Sequence, residues 1–407
     1  MPSPNSPTRR GVLAASALGG ATLAAAPALA DPSERLRPLP PKETAARAAA
    51  AAAALLDRFA AETDTDMLKE RVPRQEGDPE FAYVWPLSQA RAAVTELLPS
   101  RGQDAALVDA AQALLRAQEQ YWYPQGGTTG LPGYTAATDS ARGAHGDFFY
   151  DDNDWIALLE IEQHLFTGGR EGDLDRAGEL LELFRSGEST DPSLPSPGGI
   201  FWTQGDWNDS RNTVSTFPSA KVALRWYQLT GQEQALQDAL RWMEWGRSTL
   251  LDPEVGLFWD NIDRQGRIDT TFWTYNQGVP LGCEVLAYEI TGDRAHRERA
   301  LVLVEAFLAH YAPFESGGEF DDQPIQFNAI ALSNLLLAES VLGARVPGRR
   351  ITEAYAQRLW RDRRDPVTDL VTDSRETDVG THLLDQAGFA RSLALAALPR
   401  PLWRHLS

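Results

Sequence analysis

Tyr150-Asp151-Asp152-Asn153-Asp154-Trp155-Ile156-Ala157-Leu158-Leu159-Glu160-Ile161-Glu162-Gln163-His164-Leu165-Phe166-Thr167-Gly168 is the stretch on which the reading of this chain turns. Ile156, Leu158, Leu159, Ile161 and Leu165 recur at helical spacing. Gly168 stands where a helix C-cap calls for a left-handed residue. The frame then repeats. Asn212 to Thr230-Gly231 and Asn276 to Thr291-Gly292 are helical runs that break at the same dipeptide, 63 and 61 residues further on. A second helical run follows each break: Leu174–Phe184, Gln234–Trp245 and Ala295–His310. Each unit is therefore a helical hairpin preceded by a long loop.

Outward from these three units the pattern continues. Glu43–Ala61, Tyr83–Leu98 and Asp104–Tyr121 lie upstream. Ile325–Leu342, Thr352–Asp362 and Thr381–Leu398 lie downstream. About twelve helices make six hairpins at roughly 60 residues each, too long a period for tetratricopeptide or ankyrin repeats. Six hairpins with long loops on one side fit an all-α closed toroid of two concentric helix rings, an (α/α)6 barrel. An open solenoid is the competing architecture. A single domain is expected over residues 43–407.

The loops carry the unusual residues. Nine positions from Asp147 to Trp155 hold four carboxylates and four aromatic rings. Further on come Gly199-Ile200-Phe201-Trp202, Asp206-Trp207-Asn208-Asp209, Phe258-Trp259-Asp260-Asn261, Phe272-Trp273-Thr274-Tyr275-Asn276-Gln277 and Phe320-Asp321-Asp322-Gln323. Carboxylates suit the proton transfers and nucleophilic attack of glycoside cleavage, and flat rings suit the apolar faces of sugars. Acids at a helix start also serve simply as caps facing the positive end of the helix dipole, and on the local sequence both readings stand.

The totals narrow the field. The chain has 407 residues, 43% of them hydrophobic, and a formal net charge of −19, so its overall field repels nucleic acid. Twelve Trp favour carbohydrate contact, with a Trp-rich core as the bland alternative. The single cysteine, Cys283, excludes an internal disulfide and sits in an apolar helical run, as a buried small hydrophobe would. No pair of the six His has metal-ligand spacing, so neither metal nor cofactor is called for. Arg9-Arg10 followed by an Ala- and Gly-rich apolar run and Ala28-Leu29-Ala30 reads as a twin-arginine signal peptide over residues 1–30, with a disordered Pro-rich leader over 31–42. The expected product is secreted or held in the cell envelope, without a membrane span after cleavage, and monomeric.

Taken together, Tyr150-Asp151-Asp152-Asn153 with Trp155, Gly199-Ile200-Phe201-Trp202, Thr274-Tyr275-Asn276-Gln277-Gly278 and the Thr-Gly turns resemble glycoside hydrolase family 76, the bacterial and fungal α-1,6-mannanases. The resemblance spans about residues 45–398. It implies an (α/α)6 barrel, an endo-acting retaining mechanism on α-1,6-mannan, Asp151 as nucleophile and Asp152 as acid/base. The expected sugar contacts are Tyr150, Asn153, Trp155, Trp202, Asp260, Trp273, Tyr275, Asn276 and Gln277, with a polysaccharide as partner. Position 154 departs from the family, which usually has a small apolar residue there. Asp154 is expected as a solvated helix-face charge, or else as a residue that tunes its neighbours. If only one acid of the pair faces the cleft, inversion is the alternative, with Asp260 or Asp322 as second carboxylate. Another (α/α)6 glycosidase, or a non-catalytic glycan-binding protein, would also use this scaffold.

Overall fold

Two kinds of helix alternate along the chain, and burial tells them apart. The computed structural model describes residues 38–64, 66–102, 104–372 and 380–407. The signal peptide read at 1–30 and the leader as far as residue 37 lie outside the described residues. Helix α1 (Pro41–Phe59) starts inside the stretch expected as leader. Pro41 at its first position needs no partner for an N–H it lacks. The long helices that follow are α2 (Val84–Arg101), α3 (Ala105–Glu119), α4 (Tyr150–Thr167), α5 (Leu174–Gly187), α6 (Thr213–Thr230), α7 (Glu233–Leu250), α8 (Tyr275–Thr291) and α9 (Arg294–Tyr311). After the one-turn α10 (Glu319–Asp322) come α11 (Ile325–Leu342), α12 (Gly348–Arg358) and α13 (Leu383–Ala397).

Helices α2, α4, α6, α8, α11 and α13 are buried on nearly all sides. In α4 every residue from Tyr150 to Glu162 is buried, and in α6 every residue from Thr213 to Arg225. The alternate helices bury one stripe each, as α5 does with Ala177, Leu180, Leu181, Leu183 and Phe184. The buried set forms an inner ring in which each helix packs on the next, and α13 packs back on α2. The outer helices cover this ring. The expected turn glycines are all left-handed: Gly168 (φ 63°), Gly231 (φ 69°) and Gly292 (φ 70°). The result is an all-α (α/α)6 barrel. One hairpin is discontinuous, however. Helix α1 packs on α13, so the sixth hairpin joins the first helix of the barrel to its last inner helix.

Every short strand lies in a connection that leads into an inner helix. The pairs are Trp122–Tyr123 with Gly133–Tyr134 and Ala137–Asp139 with Gly143–His145, both ahead of α4. Arg211–Asn212, Asn261–Ile262 and Ile268–Asp269 make a three-stranded antiparallel sheet across the starts of α6 and α8. Arg71–Val72 pairs with Thr381–His382 at the α2–α13 seam. The loop chemistry is thus gathered at one end of the barrel.

The interior further along the inner helices is polar. Lys221 on α6 donates to Asn334 Oδ1 on α11 (2.6 Å). Arg391 on α13 is paired with Glu96 on α2 (2.7 Å) and donates to Gln89. The closing segment lies under this end: Arg225 donates to the carbonyls of Arg404 and Leu406, and the Ser407 N–H donates to Glu162 (2.8 Å). Cys283 is fully buried with its thiol on the Phe217 carbonyl, and burial pushes that thiol far up.

Candidate active site

The start of α4 fixes the acids. Phe149 is extended, and its neighbours bridge to the next loop: the Tyr150 N–H donates to the Trp202 carbonyl (2.9 Å), and Phe149 pairs with Thr203. Helical backbone begins at Tyr150, so Asp151 and Asp152 occupy the second and third helical positions. They are 3% and 2% exposed. Both stand in the first turn, at the positive end of the helix dipole. Because both sit on helical backbone, their side chains leave the axis about 100° apart.

Asp154 is not the solvated charge expected. It is fully buried, and both carboxylate oxygens lie within hydrogen-bond distance of Ser219 Oγ on α6, at 2.9 and 3.1 Å. Burial, reinforced by the nearby charge of Asp151 and only partly opposed by Ser219, holds its carboxyl well above the usual carboxylate range. The reason is the inner ring: α4 is enclosed on all sides, so no face is left for solvent.

Two other residues serve the scaffold. Asn153 was expected to hydrogen-bond sugar, yet its Oδ1 accepts from the Tyr134 N–H (2.7 Å) and its Nδ2 donates to the Tyr134 and Phe149 carbonyls (3.0 and 2.8 Å). Gln277 does the same on α8, accepting from the Phe258 N–H (2.7 Å) and donating to the Phe258 and Trp273 carbonyls (2.9 and 3.1 Å). Both amides are buried with these bonds made, and so act as clamps on the incoming loops. Gln386 repeats the device on α13 by accepting from the Val371 N–H (2.8 Å).

The remaining expected residues gather in three groups. Tyr150, buried against Gly187, lines a cavity of about 500 Å³ beside Trp202, whose ring meets Phe149 edge-on at 5.1 Å. Asp260 is gripped by Asn276 Nδ2 and Asn261 Nδ2, each at 2.9 Å. Burial, against those two hydrogen bonds, pushes Asp260 up to about 6. The Asn276 Oδ1 on the other end of that amide is buried and has no hydrogen-bond partner among the described residues. Trp273 and Tyr275 meet Phe327, Tyr275 stacking on it at 3.9 Å and 12°, with Trp85 behind at 6.1 Å. Trp155 is 7% exposed and belongs to the apolar core cluster. Asp322 is exposed on α10.

Ser219, Trp85 and Phe327 were not singled out from the sequence. Trp85 and Phe327 are the second and third residues of α2 and α11. Aligning all six inner-helix starts would have found them. Ser219 carries no local signal, because its partner is on another helix.

The sequence profile described as Glycosyl hydrolase family 76 matches residues 43–341. Among solved structures, a family 76 mannosidase from Bacteroides thetaiotaomicron superposes with a TM-score of 0.73 at 19% identity, covering 88% of this chain and 98% of that one. An α-mannanase of the same organism and family gives 0.74 at 19%, covering 90% and 98%. An inactive variant of an α-1,6-mannanase from Salegentibacter sp. HEL1_6, with two adjacent aspartates replaced by asparagine and α-1,6-mannotriose bound, gives 0.68 at 20%, covering 87% and 99%. No curated protein matches in sequence. With the profile spanning most of the barrel, the chain belongs to glycosyl hydrolase family 76 and is a glycoside hydrolase.

Proposed function

We propose that this hydrolase cleaves α-1,6-mannosidic bonds within microbial mannan-type polysaccharide, endo-acting and with retention of configuration. The observation that carries the reading is the adjacent pair Asp151–Asp152, nearly closed from solvent at an inner-helix N-terminus on the loop-bearing end. The relative inactivated by replacing two adjacent aspartates, and holding α-1,6-mannotriose, supports both the pair and the linkage. Asp151 attacks the anomeric carbon while Asp152 protonates the departing oxygen. Water, deprotonated by Asp152, then releases the sugar from Asp151. This chemistry asks for carboxyl groups roughly 5–5.5 Å apart. Asp260 and Asn276 supply hydrogen bonds to sugar hydroxyls, and Trp202, Trp273 and Tyr275 supply ring faces.

A second reading is inversion, with Asp260 as general base. Its carboxyl, raised to about 6, changes protonation in the range where a base works. Following the first product of linear α-1,6-mannan hydrolysis by proton NMR decides between them. Retention of the α-anomer is expected, and an initial β-anomer would establish inversion. Asp152→Asn should lower kcat by about 10²–10⁴-fold. Unimpaired hydrolysis by that variant would remove Asp152 from the chemistry.

Export by the twin-arginine route is proposed from Arg9 and Arg10. Replacing both with Lys should leave the chain in the cytoplasm, and secretion undiminished by that change contradicts the route. The enzyme is proposed to act as a monomer, which sedimentation checks.

A further inference from the structure

Large aromatic side chains on a protein surface are usually half-covered or mobile. Trp207 is neither. It is 54% exposed, yet its indole N–H donates to Asp147 Oδ2 at 2.6 Å and its ring stands edge-on to Trp202 at 5.7 Å and 83°. The indole also lies over Gly205, where a Cβ would come within 2.4 Å of Nε1. A ring held this way presents its face without the ordering cost that a free side chain pays on binding.

Gly205 is part of the wall of the 500 Å³ cavity that reaches Tyr150, the residue before Asp151. That volume falls within the roughly 300–1,000 Å³ of small-molecule sites. Asp206, Asp209, Gln204, Thr128 and Arg264 belong to its polar lining. Gln204 ties the two loops together, since its Oε1 accepts from the Thr128 N–H (2.8 Å). Hydroxyl groups both donate and accept, so they match a lining that mixes carboxylates with a guanidinium. An anionic substituent would meet two carboxylates.

We propose that this cavity, with Trp207 packed over Gly205 at its wall, is a subsite for an uncharged hexose branch carried by the backbone sugar next to the cleaved bond. The proposal rests on the mannanase reading, and makes the enzyme one that prefers branched to bare backbones.

The test compares kcat/KM on a linear α-1,6-manno-oligosaccharide and on the same oligosaccharide bearing one mannosyl branch. Trp207→Ala should lower the branched-to-linear ratio ~10-fold. Gly205→Val, which displaces the indole without removing it, should lower it in the same direction. An unchanged ratio overturns the proposal. So does a parallel fall on both substrates, because Trp207 would then serve the backbone glycan. If the wild-type chain hydrolyses neither substrate, the mannanase reading fails by itself. The subsite is then judged by calorimetry with α-mannobiose: binding weakened ~10-fold in Trp207→Ala supports it, and equal binding by the two proteins overturns it.

Discussion

Asp154 holds its proton because the barrel interior disfavours its charge, and this has a measurable sign. In the unfolded chain the carboxyl ionises near 3.8, while in the folded state it does so well above that. The folded protein therefore binds the proton more tightly, and stability contributed by this group is present below about pH 3.8 and lost as pH climbs towards the folded value. Asp154→Asn removes the titration. Its melting temperature relative to wild type should rise progressively from pH 4 to pH 8, and a difference that does not vary with pH would contradict a buried, neutral Asp154. Asp260 gives a second pH signature. With its carboxyl near 6, sugar-hydroxyl binding by the charged form weakens as pH falls below that point. KM should therefore rise on the acid side of pH 6 in wild type and lose that limb in Asp260→Asn. A kcat collapse at every pH in that variant would favour inversion. Of these two residues the sequence exposed Asp260 as a loop acid. It misplaced Asp154, because hydrophobic periodicity marks a buried face only when a helix also has a wet one.

Element by element, the helices and their breaks were legible in advance, down to the left-handed glycines at 168, 231 and 292. Each depends on neighbouring residues only. The amide clamps were not legible. Asn153 and Gln277 look like sugar ligands because they stand in loop-to-helix motifs beside acids and rings, while their partners are backbone groups at Tyr134 and Phe258. Removing a clamp leaves a buried N–H and carbonyl unpaired, a loss of roughly 1–3 kcal/mol for each group. Asn153→Leu should accordingly lower the unfolding free energy, read from denaturant titration, by an amount of that order. Residual enzyme that stays folded should show a KM within about twofold of wild type. A large KM change with unaltered stability would restore Asn153 to the substrate. The clamps show how long loops can be varied while the acids stay in place, since each is held where it joins the helix.

At the scale of the whole molecule, the seam between α13 and α2 closes the inner ring. Arg391–Glu96 sits there, both side chains almost fully buried. Removing one partner strands the other as an unpaired buried charge, so Glu96→Leu should cost about 3–5 kcal/mol. The double replacement Glu96→Leu with Arg391→Met should recover most of it. A single variant as stable as wild type would mean that the pair does not hold the seam. Twelve helices and six hairpins were readable from the sequence, because their period is local. Which helices form the sixth hairpin was not, because α1 and α13 find each other across nearly the full chain.

That late pairing has a consequence for the timing of biosynthesis. On the ribosome, the first helix emerges hundreds of residues before the partner that covers it. The hairpins between them can form as they appear, but none can close the ring. An unfinished chain thus offers the apolar stripe of α1 and the open face of α2 to chaperones until α13 is released. Completion of the last inner helix is then the event that tells a folded enzyme from an unfolded one, and on the proposed twin-arginine route, which accepts only folded cargo, export would wait for that single docking step.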